Sequence, residues 1–426
     1  MRKILVRGPF LTQSGYGEHA RFVLRALRTK EEEFDIYAIN VNWGNTNWLW
    51  EDNEERVWFD GLIEKTANYL RDAGGAVVST FDMSVQVTIP NEWERLCPRN
   101  VGVTAGIETT RVAPQWIEKA KEMDAIVTIS EHSKKVYEST SYTAQNKATG
   151  ATVEDYRVDN VPISVVHYPV KNTKAADVKF DLEMDFNFLT VAQWSARKNL
   201  ENTIRWFVEE FIDQEVGLIV KGSLAKNCVY DRLKVSAAIK RLLEPYPQRK
   251  CKVYLLHGFL TEEEMTTLYQ DDRVKAYLSL SHGEGFGLPM FEAAYNGVPI
   301  IAPAWSGYLD FLYMPVKDKK GKVKNKPMFS TVDYTMQRIP KEAVWEGVLQ
   351  EDSSWCVPEQ GPYKMRLREM YKDYGRFKSR ANRLKTWVNE NFEESAQYEK
   401  FIAAVDPQNE FDVENWLDSL EIEEYE

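Results

Sequence analysis

Cysteine is scarce in this sequence of 426 residues: Cys97, Cys228, Cys251 and Cys356 stand far apart, and no two form a Cys-x-x-Cys pair. That spacing excludes a zinc-ribbon pattern and signals no disulfide framework, so reduced structural thiols are expected. Asp-x-Asp does not occur, so no metal site built on such a pair is expected. Long apolar runs are also missing. At the N-terminus Ile4-Leu5-Val6 is followed at once by Arg7, whereas a membrane span needs about 20 apolar residues. The sequence therefore predicts a cytoplasmic protein with no signal peptide and no transmembrane segment. A net charge of -11, from 54 Lys+Arg against 65 Asp+Glu, disfavours a broad, unspecific nucleic-acid surface. A local basic patch remains compatible with it, and the lysine-rich run from Lys317 to Lys326 is one. Internal repeats and low-complexity tracts are absent.

The length exceeds what one hydrophobic core usually supports, and 43% hydrophobic residues can fill two. Short β-branched runs alternate with helical patterns, the signature of βαβ units and parallel sheets. Strands are predicted at 3–6, 34–39, 76–80, 85–89, 101–105, 125–129 and 163–167, and again at 188–192, 218–221, 253–256, 276–280 and 299–302. Among the helices, 18–28 places Ala20, Val23, Leu24 and Leu27 on one face. Thr261 with Glu264 forms a capping box that opens another near 262. The stretches 139–159 and 171–185 are polar and aperiodic, and the junction falls there. The predicted architecture is α/β, with two doubly wound Rossmann-like domains at 1–170 and 171–391 facing a cleft. Helices at 365–391 and 394–405 follow, and residues 392–426 are expected to cross back to the first domain. Trp43, Trp48 and Trp50 cluster early and read first as packing residues.

Chemistry concentrates after the strand at 276–280. Ser281-His282-Gly283-Glu284-Gly285-Phe286-Gly287-Leu288 leads into a helix opened by Pro289, and such loops lie beyond the carboxyl ends of the strands, where open α/β sheets bind ligands. Alternating glycines allow close backbone approach, and a helix N-terminus favours anions, so the loop suits a diphosphate. Glu284 and Glu292 flank it and suit hydroxyl groups better than phosphate. A glycine-rich βα turn with exposed glutamates would read the same way at this level.

Glu284 to Glu292, then Ala293-Ala294-Tyr295-Asn296-Gly297-Val298-Pro299-Ile300-Ile301-Ala302 and Ser306-Gly307, resembles the Glu-x7-Glu region of the retaining GT-B glycosyltransferases of the family 4 type, related to sucrose, glycogen and mannosyl-phosphoinositide synthesis. The resemblance implies that Glu284 contacts donor-sugar hydroxyls, that Glu292 holds the ribose, and that Gly285, Phe286, Gly287 and Leu288 lie near sugar and diphosphate. Phe188 to Leu200 is similar to the family's first donor-domain strand and loop, which makes Lys198 the cation for the diphosphate and Arg197 a second one. The family's usual Gly-Arg is Ala192-Gln193 here. Gly15, Tyr16 and Gly17 are implied to close over donor and acceptor from the opposite domain, and Phe259 and Leu260 to sit at the nucleobase. Glu108, Arg111, His19 and Tyr16 are the acceptor-side candidates, and His282 lies near the expected cleft.

The implied function is transfer of a sugar from a UDP- or GDP-sugar to an unidentified hydroxyl acceptor, a glycan, lipid or modified DNA. The implied route is metal-independent, with front-face attack, no protein nucleophile and no cofactor beyond the nucleotide-sugar. Three alternatives stand beside it: a viral-type transferase acting on hydroxymethylated DNA bases, a nucleotide-sugar binding protein without catalysis, and a sugar-nucleotide epimerase on the same fold.

Overall fold

The computed structural model describes residues 1–75, 80–145 and 149–407. The first domain contains strands Arg2–Gly8 (β1), Phe34–Asn40 (β2), Met83–Val87 (β3), Arg99–Thr104 (β4), Ala125–Thr128 (β5), Tyr142–Gln145 (β6), Thr152–Tyr156 (β7) and Ile163–Val165 (β8). Its helices are Gly15–Arg28 (α1), Glu54–Asp72 (α2), Pro114–Ala120 (α3) and Glu131–Ser139 (α4). The second domain has strands Asn187–Val191 (β9), Gly217–Lys221 (β10), Lys252–Leu256 (β11), Val274–Leu278 (β12), Ile300–Pro303 (β13), Tyr313–Lys317 (β14), Val323–Pro327 (β15), Ser330–Val332 (β16), Tyr334–Arg338 (β17) and Ser354–Pro358 (β18). Helices Leu200–Glu210 (α5), Val229–Leu243 (α6), Glu262–Gln270 (α7), Leu288–Asn296 (α8), Leu309–Leu312 (α9), Gln360–Lys372 (α10), Tyr374–Asn391 (α11) and Glu394–Val405 (α12) complete it.

Each domain is built on a parallel sheet of six strands, ordered β2-β1-β3-β4-β5-β8 and β11-β10-β9-β12-β13-β16. Strand alternation divides the second sheet's side chains between two cores. Phe188, Leu218, Val220, Ala276 and Leu278 pack with Phe207 of α5 and Leu367 of α10. Leu189, Ile219, Tyr277 and Ile300 pack instead with Phe291 and Ala294 of α8 and Val388 of α11. Both faces are covered, which explains the near-continuous apolar runs in these strands. The capping box is formed: Thr261 Oγ1 accepts from Glu264 N at 3.2 Å, and Thr261 N donates to Glu264 Oε2 at 2.9 Å.

Some elements differ from the sequence expectation. The helix predicted over 365–391 is two helices, α10 and α11, separated at Asp373. The polar stretch 139–159 contains the antiparallel pair β6–β7, and Lys317 to Lys326 belongs to the hairpin β14–β15. Neither pattern stands out in the sequence because these ribbons are short and largely solvated, with only a few side chains such as Tyr142, Met314 and Val316 packed on a core. The strand predicted at 76–80 lies mainly outside the described residues, as does the chain from 408 onward. Helix α12 returns to the first domain, where Tyr398, Phe401 and Val405 join the core under α1. Arg99 Nε donates to Val405 O at 3.0 Å. No helix among the described residues is long and apolar enough to cross a membrane.

Candidate active site

In the second sheet the strand order reverses between β9 and β12. At such a switch point the loops leave the strand ends in opposite directions and open a crevice. The loop after β9 carries Arg197 and Lys198, and the loop after β12 runs from Ser281 to Gly287. They are stitched together: His282 N donates to Arg197 O at 2.8 Å, and Asn199 Nδ2 donates to Leu280 O at 3.2 Å. Asn199 adopts the left-handed conformation (φ 53°) that ends the short turn and lets α5 begin. Sequence-distant residues thereby become neighbours.

Lys198 Nζ donates to both oxygens of Glu284 at 2.6 and 2.8 Å. Arg197 Nη1 donates to Glu284 Oε2 at 3.0 Å and to Gly283 O at 2.7 Å. Arg197 Nη2 lies 3.5 Å from Glu108 of the first domain. Glu284 is 8% exposed. Burial by itself would raise its carboxyl, but Lys198 and Arg197 outweigh that and hold it at about 2. For Lys198 burial dominates and lowers the amine below its ordinary value, with Glu284 opposing. Lys198 and Glu284 thus line a narrow pocket with Thr190, Tyr277, Ser279 and Gly287, and Arg197 is tied to it through Glu284. The cations are available to an anion only in competition with Glu284.

The glycines of this loop have divided duties. Gly287 sits at φ 92° as the N-cap of α8, a conformation that an L side chain resists. Gly283 and Gly285 meet the first domain: a Cβ on Gly283 would stand 2.0 Å from Glu108 O, and one on Gly285 would stand 2.4 Å from Ala105 O and 2.7 Å from Gly106 Cα. The small size of Gly283 and Gly285 is used for backbone contact between domains, a role the sequence did not show.

Glu292 lies one turn into α8, where its Oε2 accepts from Tyr269 OH at 2.9 Å. Burial pushes its carboxyl up to about 7, against the opposing pull of Tyr269 and Lys171. The Phe286 side chain belongs to the core with Tyr168, Phe291 and Phe311, so the segment can offer a ligand only its backbone. Leu288 and Leu260 pack against the same core. Phe259 meets Trp50 of the first domain edge-on, with ring centroids 5.6 Å apart. Gly15 opens α1 with open space around it, whereas a Cβ on Gly17 would stand 2.1 Å from Thr12 O. Tyr16 OH hydrogen-bonds Thr104 Oγ1 at 2.9 Å, and its ring lies 4.4 Å from that of Trp43.

Other candidates have side chains engaged elsewhere. His19 is 1% exposed on the inner side of α1, 5.2 Å from the Tyr168 ring. Burial pulls its imidazole down to about 3, which favours the neutral ring, and both ring nitrogens are buried without a hydrogen-bond partner among the described residues. Arg111 lies over the Tyr142 ring and 3.4 Å from Asp352. His282 stacks on Trp355 at 4.6 Å and shares a hydrogen bond with Cys356 O. Gln193, at the family's usual arginine position, donates to Leu224 O at 2.6 Å.

Sequence reasoning missed the bridge at the other side of the cleft. Asp231 accepts from the backbone N–H groups of Leu224, Ala225 and Lys226 and pairs with His257 at 2.8 Å. The loop so held meets the tryptophan-rich segment: Lys226 Nζ donates to Thr46 O at 2.6 Å, and Asn227 Nδ2 donates to Gln13 Oε1 at 2.9 Å. An aspartate at the first turn of a predicted helix after Gly-Ser was the available signal.

Residues 173–316 match the family model described as Glycosyl transferases group 1. The curated proteins offer no sequence match. Among solved structures, HepE of Anabaena in complex with UDP-glucose is 12% identical with a TM-score of 0.56, over 96% of this chain and 100% of that one. A glycosyltransferase of Rickettsia africae is 11% identical (TM-score 0.57; 95% and 98% covered), and the sucrose-phosphate synthase of Thermosynechococcus elongatus is 11% identical (0.55; 94% and 97%). The chain spans 59% and 55% of the length of two larger structures, pneumococcal GtfA and S. aureus TarM, at TM-scores of 0.47 and 0.46. The chain therefore has the GT-B fold, and its residues 173–316 carry a Glycosyl transferases group 1 domain.

Proposed function

We propose that the protein transfers a sugar from a nucleoside-diphosphate sugar to a hydroxyl acceptor with retention of anomeric configuration. The observation that carries this reading is the buried Lys198–Glu284–Arg197 constellation at the switch point of a Glycosyl transferases group 1 domain. Transfer breaks the bond between anomeric carbon and phosphate oxygen, and the electron pair leaves with the nucleoside diphosphate. Cations at the departing oxygens stabilise that charge as it develops. Lys198 and Arg197 serve this role without a metal ion. The diphosphate displaces Glu284 from them, and the freed carboxylate then accepts hydrogen bonds from the sugar hydroxyls. Glu292 takes the ribose hydroxyls.

The acceptor oxygen attacks the face from which the diphosphate departs, and its proton passes to a leaving phosphate oxygen. No protein nucleophile is required. HepE, which shares the fold, was solved with UDP-glucose, so UDP-sugars are the first donors to try. The test is mass spectrometry of a panel of UDP- and GDP-sugars incubated with the protein and with EDTA. Slow release of nucleoside diphosphate from one donor, undiminished by EDTA, is the expected result. An intact panel, or a donor converted into another sugar nucleotide with no release, would sink the transferase reading.

A further inference from the structure

The six lysines Lys317, Lys319, Lys320, Lys322, Lys324 and Lys326 fall within ten residues of a chain whose net charge is -11. They lie on the hairpin β14–β15 and the turn that joins its strands, immediately before β16, the edge strand of the second sheet. Among the described residues none of the six makes an ion pair, although ion pairs are frequent elsewhere on the surface. The one acidic residue in the run, Asp318, offsets one of the six charges but forms no ion pair with any of them. Asp318 Oδ1 accepts from Lys320 N at 2.8 Å and Lys322 N at 3.0 Å, so it is bound into the turn, which Gly321 completes at φ 78°.

Directly opposed residues of an antiparallel pair share a face. Lys324 and Lys326, opposite Val316 and Met314, therefore lie on one face, and Lys317, opposite Val323, lies on the other. Lys319, Lys320 and Lys322 occupy the tip. Met314 is buried and Val316 packs beside it against the second domain's core, so the positive charge is exposed on all sides only at the tip. That arrangement suits a partner with negative charge on two walls.

We propose that this hairpin binds the phosphate backbone of duplex nucleic acid. A two-stranded ribbon fits a major groove about 12 Å wide, with phosphates on both sides. A bilayer would meet one face, and the tip from Asp318 to Lys322 offers no apolar or aromatic side chain to its interface. Single-strand binding draws on aromatic stacking, and residues 314–326 contain no aromatic ring. Lysines act as point charges and no arginine is present to read guanine, so the contact is independent of base sequence. This site is separate from the donor pocket and does not depend on the transferase reading.

The test is fluorescence anisotropy with a labelled 20-base-pair duplex over a range of salt, beside flotation with phosphatidylcholine vesicles containing phosphatidylserine. Six phosphate contacts give a log–log salt slope of about -5, so affinity falls about a thousandfold between 50 and 200 mM salt. The triple variant Lys319→Gln, Lys320→Gln, Lys322→Gln retains Asp318 and the turn, and its slope should shrink by about 3. Circular dichroism and donor hydrolysis should match the wild type. Absence of duplex binding at 50 mM salt, an unchanged slope in the variant, or vesicle binding in place of duplex binding would each overturn the proposal.

Discussion

Replacement of Glu284 by Gln probes the central constellation, because it removes one negative charge from beside two buried cations and keeps the shape. The carboxyl is held at about 2 against an ordinary 4.5, and a shift of that size corresponds to about 3 kcal/mol of folding stability. Breaking a buried ion pair from one side costs about 3–5 kcal/mol in general, which agrees. For a domain of roughly 200 residues, about 3 kcal/mol lowers Tm by about 6–12 °C. A depressed carboxyl pKa contributes stability that is present above the unfolded value and is lost as pH falls through the folded one. The gap between wild type and Glu284→Gln should therefore be level from pH 8 to 5 and should close between about pH 4.5 and 2.

The same substitution removes the internal competitor for Lys198 and Arg197. A unit charge about 4 Å away is worth about 4 kcal/mol at an effective dielectric near 20, before screening. UDP should thus bind Glu284→Gln at least about tenfold more tightly than wild type, while sugar transfer falls because an amide is a weaker partner for the sugar hydroxyls than a carboxylate with two acceptor oxygens. Differential scanning fluorimetry with a UDP titration measures both effects. A Tm within about 2 °C of wild type, together with unchanged UDP affinity, would refute the view that the carboxylate neutralises these cations.

Lys198→Ala should lower kcat by about 10²–10³, the usual size of losing one preorganised group at a developing charge, and steady-state kinetics with a responsive donor checks it. Gly285→Ala places a methyl 2.4 Å from Ala105 O; backbone on both sides cannot yield, so the domains should part, with a larger radius of gyration by small-angle scattering and lost transfer. Glu292 has its pKa raised to about 7, so its protonated form is favoured in the fold. Relative to Glu292→Gln, the wild type should lose stability as pH rises from about 4.5 through 7. Donor affinity should rise over the upper part of the same window as the carboxylate forms, and isothermal titration at pH 6 and 8 would detect the change.

Much of the fold was legible because its signals are local. Apolar runs at 188–192 and 218–221 mark strands buried on both faces, and Thr261 with Glu264 marks a helix start. Gly287 and Pro289 mark the opening of α8. The hairpins β6–β7 and β14–β15 were not legible, since these short ribbons are mostly exposed and pack only a few side chains on a core. The break at Asp373 was missed because periodicity continues through it and no Gly or Pro precedes it closely. Within the site, the residue types at 197, 198, 284 and 292 identified an anion and polyol pocket. Their ion pairing was not legible, because it joins loops some 86 positions apart.

The sequence by itself determined the parallel α/β architecture, the loop after β12 and the chemical types gathered near it, since each follows from short-range patterns of burial and turn formation. Only the tertiary structure decided what those groups do to one another. It set Glu284 against Lys198 and Arg197, used Gly283 and Gly285 for contact with the first domain, and buried His19. It also left the lysines of β14–β15 without an ion pair among the described residues. These outcomes depend on which strand ends meet at the switch point and on how the two domains close, and packing across the whole chain, not local propensity, sets both.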